Sequence, residues 1–421
     1  MPQGAEKKMI TIIGAGPIGI EAAIYARQAG YNVRILERHS AAHNIEQWQH
    51  VKLFSPFELN HSPLGKAILA DHDVPLPDGG AYLTGREYKN RYLDPLLVHS
   101  SLKNHIFEDC EVVAVSRRGI LKGDHIGDGE RQKFAFTILT RSSDGSEARY
   151  DSDYVIDASG SYGNHNWLGD GGIPALGEIA NAHRIQYGLP DVANARRAQY
   201  VGKTTLVIGG GHSAATSIVG LKRLIEEDPE TRVIWITRND NPLPLQPISN
   251  DVLAERERIT SEANDIVNNP NVRWMQGASI AAIRFDDAAQ TFSVDIESQE
   301  GEGMLAVDNI IANVGFSPDN SIYRELQVHE CYASRGPMKL AAALLSESSS
   351  ADCLAQTSKG PGVLKNPEPD FYIIGMKSYG KNSNFLLKIG YEQIRDVFQL
   401  ISEDESLDLY QHPKTIFAEA T

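Results

Sequence analysis

The chain starts with a short apolar run, "MITIIGAG", followed by "PIGIEAAIYARQAG". In the latter, Ile18, Ala22, Tyr25 and Ala26 share one helical face, and Gly30 stands where a helix C-terminus favours glycine. A second apolar run, "NVRILER", comes next. Strand, helix and strand in that order predict a β-α-β unit, which requires parallel pairing. The pattern returns from Gly202: apolar "TTLVIGGG", helical "HSAATSIVGLKRLIEED" and apolar "RVIWITR". Downstream the likeness continues. "CEVVAVSRRG" and "FAFTILTRSSDGSEARYDSDYVIDASG" follow the first unit; "VRWMQGASIAAIRFDD" and "TFSVDIESQEGEGMLAVDNIIANVG" follow the second. Each set alternates apolar and polar positions around Gly or Asp turns and closes on an apolar strand ending in glycine. The same order of elements twice predicts an internal duplication, two related α/β modules in tandem.

The segments outside the duplication set the domain plan. Residues from about 39 to about 105 form an irregular excursion with scattered Pro and aromatics, longer than a connector requires. Residues from about 317 to 362 carry the helical "GPMKLAAALLS". Beyond them, "DFYIIGMKSYG" reads as one more strand and "FLLKIGYEQIRDVFQLI" as a long amphipathic helix. A last strand and helix without a glycine loop fit the completion of the first module's sheet. The expected division is 1–165 for the first module, 166–315 for the second, and 316–421 for the rest of the first, with a helical insertion at 317–362.

Composition narrows the chemistry. A net charge of −15 argues against nucleic acid or an anionic membrane as the main partner. No apolar run reaches the length of a membrane span and no secretory pattern precedes the first strand, so a cytoplasmic protein is expected. Cys110, Cys331 and Cys353 are too few and scattered for a disulfide framework, and no C-x-x-C pair occurs. No histidine or cysteine spacing suits a metal, so none is expected.

The two glycine loops carry the strongest signal. The first is Gly14-x-Gly16-Pro17-x-Gly19, set between strand and helix, with Glu37 ending the next strand and Arg38 beside it. Such a loop lets backbone approach a pyrophosphate at a helix N-terminus, and an acid at the second strand's end accepts from a ribose hydroxyl pair. The second loop is Gly209-Gly210-Gly211-His212-Ser213-Ala214, with Thr237 and Arg238 where the first module has Glu37 and Arg38. A carboxylate repels a 2′-phosphate; a hydroxyl and a guanidinium favour it. Arg238 as a plain solvated charge is the alternative. Two dinucleotides are thus expected, FAD at the first loop and NADPH at the second, which is oxidoreductase chemistry.

On "GAGPIG", "GGGHSA", "VIDASG" and "IIANVGFSPD" the sequence resembles the two-dinucleotide-binding-domain flavoproteins, which include thioredoxin-reductase-like enzymes and flavin-containing monooxygenases. The resemblance spans nearly the whole chain. It implies two Rossmann-like three-layer domains, the NADPH domain inserted into the FAD domain, with Gly160 closing the first linker strand beside the cofactor. The superfamily's terminal Gly-Asp appears as Gly375-Met376; the resemblance carries over Gly375 as a cofactor-binding residue, and Lys377, also expected at the cofactor, begins a stretch that leads to the last helix, whose N-terminus would face the flavin pyrimidine.

Departures point to a branch. The disulfide-reductase branch uses a C-x-x-C pair, or a lone cysteine in or beside a glycine loop; Ile18 and His212 occupy loop positions open to one. The stretch "WQHVKLFSPFELNHSPLG" looks like the flavin-facing region of the monooxygenases, which implies Ser55, Phe57 and Asn60 around the reacting centre, ordinary turn chemistry at Pro56 being the alternative. "GEIANAHRIQY" keeps His183 and Tyr187 of the monooxygenase fingerprint, with Gly177 and Ile179 in place of its Phe and Gly, which implies a catalytic His183 in contact with cofactor or substrate, a structural histidine being the alternative. The resemblance therefore implies an NADPH-dependent monooxygenase that oxidises a soft nitrogen or sulfur centre of a small molecule through a flavin hydroperoxide, with molecular oxygen as co-substrate. Two other readings stand beside it: a reductase of a quinone, disulfide or other small acceptor, and a flavin-based redox-sensing binding protein. Cys331 with Cys353 is a candidate redox pair, and a homodimer is compatible with the sequence.

Overall fold

A computed structural model of the chain describes residues 7–298, 301–346, 357–411 and 413. In chain order, β1 (Met9–Ile13), α1 (Pro17–Gln28) and β2 (Asn32–Leu36) are followed by the excursion with α2 (Pro63–Asp71), then β3 (Ile106–Phe107), β4 (Glu111–Arg117), β5 (Phe136–Arg141), β6 (Glu147–Ser152) and β7 (Tyr154–Asp157). The second module holds β8 (Thr204–Ile208), α3 (His212–Glu227), β9 (Arg232–Thr237), α4 (Ala254–Asp265), β10 (Val272–Gln276), β11 (Ser279–Asp286), β12 (Thr291–Ser298), β13 (Gly301–Val307) and β14 (Asn309–Ala312). The chain closes with α5 (Met338–Ser346), β15 (Phe371–Ile373) and α6 (Leu387–Ser402).

The chain divides into two compact units. One comprises the described residues up to Glu46, Ser55–Asn164 and those from Ser317 onward; the other comprises Gln47–Phe54 and His165–Phe316. Residues 47–54, expected with the first module, belong to the second, because Phe54 packs on the core around Ile218 and Trp235.

In the first unit the sheet runs β15-β7-β1-β2-β3, all neighbours parallel. The late strand β15 therefore completes the sheet of the first module. Residues Ile18 to Ala26 of α1 are all buried, so this helix has almost no solvent face. Tyr25 of α1 packs at a tilt against Phe398 of α6 with ring centroids 4.8 Å apart. Burying a ring like Phe398 completely contributes roughly 1.5–3 kcal/mol.

In the second unit the sheet runs β10-β9-β8-β14, again parallel throughout. Each module also carries a three-stranded antiparallel sheet, β4-β5-β6 in one and β11-β12-β13 in the other. The duplication extends to a defect. Pairing slips between Val112 and Ala114 in β4, and between Ile280 and Ala282 in β11, so each first strand carries a bulge at its third residue.

Candidate functional site

The first glycine loop lies between β1 and α1 at the carboxyl edge of the first sheet, where open α/β sheets bind ligands. Gly14 has φ +96°, and a Cβ there would sit 2.8 Å from Ser159 Cα and 2.9 Å from the Ala158 carbonyl, so only glycine fits against the end of β7. At Gly19 a Cβ would run into the Gly14 carbonyl. Gly16 is different: a Cβ would meet nothing within 4 Å. Space therefore opens in front of the helix whose first residue is Pro17, and no acidic side chain occupies its first turn. The Glu37 carboxylate closes one side, accepting from the Ala15 N–H at 2.8 Å and the His39 N–H at 2.9 Å. Arg38 is exposed, 3.8 Å from Glu111, with its guanidinium over Gly163. These features fit an anionic dinucleotide: open backbone at a helix N-terminus and a carboxylate from the end of β2 bonded to the same loop.

The other wall of this edge comes from β7 and from the turn after β15. Asp157 and Lys377 form an ion pair at 2.6 Å with side chains no more than 1% exposed. Asp157 Oδ1 accepts from the Ser159 N–H at 3.1 Å and the Ser159 hydroxyl at 2.7 Å, and Lys377 Nζ donates to Ser159 Oγ at 3.1 Å and lies 5.2 Å from the centre of the Tyr323 ring. Lys377, expected to reach the cofactor, is thus turned inward, and its ammonium is held by protein groups. Gly160 follows with φ +70° and open space around it. Gly375 has φ +69°; its N–H donates to Gln393 Oε1 at 2.8 Å, and its vacant Cβ position lies 3.4 Å from Ile18. A Cβ at Gly390 in α6 would overlap Ile18 as well. Ile18 is 6% exposed and fits between these two glycines. The N-terminus of α6, at Leu387, has no side-chain cap.

Ser55, Phe57 and Asn60 do not present free groups. The Ser55 hydroxyl donates to Asn60 Oδ1 at 2.8 Å, and Asn60 Nδ2 donates to the carbonyls of Ser55 at 3.0 Å and Pro56 at 3.1 Å. The Tyr88 and Tyr391 hydroxyls both donate to the Asn60 carbonyl at 2.8 Å. Phe57 is 1% exposed and packs edge-on against Tyr92. Contrary to the expectation from the sequence, these three do not line a reacting centre: they close a turn around Pro56, and the tyrosines hold that turn.

The second loop repeats the plan with changes. Gly209 has φ +138°, and a Cβ there would strike the Asn313 carbonyl at the end of β14, the counterpart of Gly14 against the end of β7. Gly211 has open space within 4 Å, as Gly16 does. Ala214, in the place of Gly19, is fully buried. Ser213 is exposed in the first turn of α3, and His212 opens that helix, its ring edge-on to Phe54 at 5.7 Å. Thr237 does not face the ligand side as its sequence position suggests. It is fully buried, and its hydroxyl accepts from the Trp274 indole N–H at 3.0 Å, so it is not available to a phosphate. Arg238 is exposed and makes no ion pair or hydrogen bond among the described residues.

His183 is exposed on the second unit with no hydrogen bond or ring contact among the described residues. Its neighbours instead form a brace. Glu178, fully buried, accepts from the N–H groups of Leu168 and Ala175 and from the Tyr187 hydroxyl, and Tyr187 stacks on His165 at 3.5 Å. The fingerprint segment is thus a structural clamp around Glu178. Cys110 and Cys331 are free thiols in the first unit; burial pushes the Cys110 thiol up, and contacts from Ser334 pull Cys331 down. Cys353 lies outside the described residues. No group of three metal-ligating side chains gathers among the described residues, and no helix there is long and apolar enough to cross a membrane.

Sequence reading missed Asp157 with Ser159, and the pair Arg256–Asp251 near His212. Asp157 carried a signal, a lone acid ending an otherwise apolar strand. Arg256 and Asp251 carried none, since no periodicity links them.

Residues 11–338 match the family described as pyridine nucleotide-disulphide oxidoreductase. Curated protein sequences give no match. Among solved structures, the bacillithiol disulfide reductase of Bacillus cereus aligns with a TM-score of 0.67 at 20% identity, covering 95% of this chain and 100% of that one. The T. acidophilum thioredoxin reductase gives 0.58 at 17%, over 95% and 100%. The FAD-bound cadaverine monooxygenase of the desferrioxamine pathway from Erwinia amylovora gives 0.61 at 13%, over 99% and 98%. These likenesses show the shared fold of two-domain Rossmann flavoproteins. The match over most of its length places the chain in the pyridine nucleotide-disulphide oxidoreductase family, as a flavoprotein oxidoreductase with FAD and NADP as cofactors.

Proposed function

We propose that this member of the family is an NADPH-dependent monooxygenase acting on a soft nitrogen or sulfur centre of a small molecule. FAD occupies the first glycine loop and NADPH the second. Bound FAD supplies two-electron redox chemistry; the chain binds and orients the cofactors and excludes water. Around the first loop, the α1 N-terminus faces the pyrophosphate and Glu37 takes the ribose hydroxyls. At the second loop, Gly211 leaves the lane for the other pyrophosphate and Arg238 takes the 2′-phosphate. NADPH provides two electrons, one oxygen atom of dioxygen enters the substrate, and the other leaves as water with uptake of one proton.

The observation that carries this reading is Ile18. It fills the first loop with hydrocarbon against Gly375 and Gly390, where a cysteine relay would need a thiol. An oxygen-dependent oxidation would ask no such thiol of the chain. A second reading, reduction of a disulfide or other small acceptor, draws on Cys331. Its turn packs on the turn after β15, with the vacant Cβ position of Gly336 2.8 Å from the Ser378 carbonyl.

The test supplies NADPH and isotopically labelled dioxygen with a panel of amines and thioethers. One labelled oxygen in the product per NADPH consumed is the expected result. NADPH oxidation without air, coupled to a quinone or disulfide, overturns it in favour of the reductase. Loss of that anaerobic activity in Cys331→Ser would assign the thiol.

A further inference from the structure

The second glycine loop contains a titratable group that nothing else in the site requires. His212 is the first residue of α3, directly after Gly211, and its backbone carbonyl accepts from the Thr216 hydroxyl at 2.8 Å. Its ring nitrogens make no hydrogen bond among the described residues, and the ring is half-buried beside Phe54. Next to it stand Arg256 and Asp251. Their side chains are 10% and 3% exposed and joined in a two-pronged ion pair at 2.6 and 2.7 Å, so their charges largely cancel. On the segment of Phe54, His50 is charge-coupled to Asp191 and Lys52 to Glu255. Arg238 follows β9 directly and is exposed. Burial, reinforced by Arg256 and opposed by Asp251, holds the His212 imidazole below its ordinary 6.5. The free ring is therefore neutral at neutral pH.

We infer that His212 reads the dinucleotide pyrophosphate through its own protonation: it takes up one proton from solvent as NADP(H) binds and returns it on release. This inference rests on the assignment of NADPH to the second loop. The open lane at Gly211 and the unsatisfied amides of α3 draw the two pyrophosphate charges to the helix N-terminus, where His212 is the side chain able to gain a positive charge. An anion raises the pKa of an adjacent imidazole. Binding is then tightest in acid and weakens as pH climbs from the free pKa to the bound one, by at most about tenfold per pH unit for one proton. The 2′-phosphate, with a second pKa near about 6, titrates in the same range but with the opposite sign, because Arg238 favours its dianion.

The sign separates the two groups, and a variant isolates the imidazole. NADP⁺ is titrated into the FAD-loaded full chain by calorimetry between about pH 6 and about pH 8, in two buffers of different ionisation enthalpy. The wild type should take up more protons than His212→Gln, by up to about one per NADP⁺, and should lose more affinity as pH rises. His212→Gln should bind with an affinity that follows only the 2′-phosphate. FAD absorbance and thermal midpoint verify that the variant is folded; His212→Asn replaces it if they fail. Equal proton uptake and equal pH slopes in wild type and variant overturn the inference. Arg238→Ala tests the underlying assignment separately: if NADP⁺ keeps its advantage over NAD⁺ there, the second-loop reading fails instead.

Discussion

Lys377 Nζ lies 2.6 Å from Asp157 Oδ2, and neither side chain reaches solvent. The pair joins the end of β7 to the turn after β15, two segments more than two hundred residues apart in sequence that meet at Ser159, which itself packs against Gly14. Removing one partner leaves the other charge buried and unpaired, which typically costs about 3–5 kcal/mol. Lys377→Met and Asp157→Asn should each lose stability on that scale, and the double variant should lose much less than the sum. Chemical denaturation with flavin absorbance as a second probe checks this. Additive losses would show that the two groups do not act as a pair.

The two loop glycines make opposite demands. Gly19 has no room for a Cβ, whereas a Cβ at Gly16 would meet nothing within 4 Å. Gly19→Ala should therefore destabilise the apoprotein by about 1–3 kcal/mol through overpacking. Gly16→Val should leave the apoprotein's thermal midpoint unchanged and still abolish FAD retention, because the valine fills the approach lane. Retention of FAD by Gly16→Val would place the cofactor elsewhere.

Thr237 and Arg238 are adjacent in sequence and differ in role. Arg238→Ala should raise the KM for NADPH far more than that for NADH, since only NADPH carries the phosphate. Thr237→Val should leave that preference intact. It strands the Trp274 indole N–H instead, costing about 1–3 kcal/mol of stability. A shifted cofactor preference in Thr237→Val would contradict the buried position of its hydroxyl.

These contrasts show what was legible in the sequence. The duplicated β-α-β units, the two glycine loops and the late return of β15 to the first sheet followed from periodicity and glycine placement, because both reflect backbone geometry. Which side chains face a ligand did not follow. Ser55, Asn60 and Thr237 have the right chemistry, but each meets its hydrogen-bonding needs within the protein, through partners such as Trp274 that lie distant in sequence or through a turn whose closure depends on Tyr88 and Tyr391. Lys377 was found by position and misread in direction, since its partner Asp157 comes from the other end of the module.

Glu21 supplies a pH-dependent prediction. It lies in α1, 1% exposed, and neither carboxylate oxygen has a partner at full hydrogen-bonding geometry. Burial raises its pKa from 4.5 to about 7, and the Ser62 and Tyr410 hydroxyls only partly oppose that. The fold prefers the neutral acid, whereas the unfolded chain ionises at its ordinary value. Stability from this group is therefore complete below about pH 4.5, declines as pH rises toward 7, and stays low above that. At about 1.4 kcal/mol per pH unit, the loss amounts to about 3 kcal/mol. Glu21→Gln cannot ionise and should not show this decline. Its stability relative to wild type should improve by about 3 kcal/mol between about pH 4 and about pH 8, whatever the fixed cost of seating the amide. Urea denaturation at both ends of that range measures the change. A constant difference between variant and wild type would mean that Glu21 keeps an ordinary carboxylate pKa in the folded protein, and that water or an ion reaches it beneath α1.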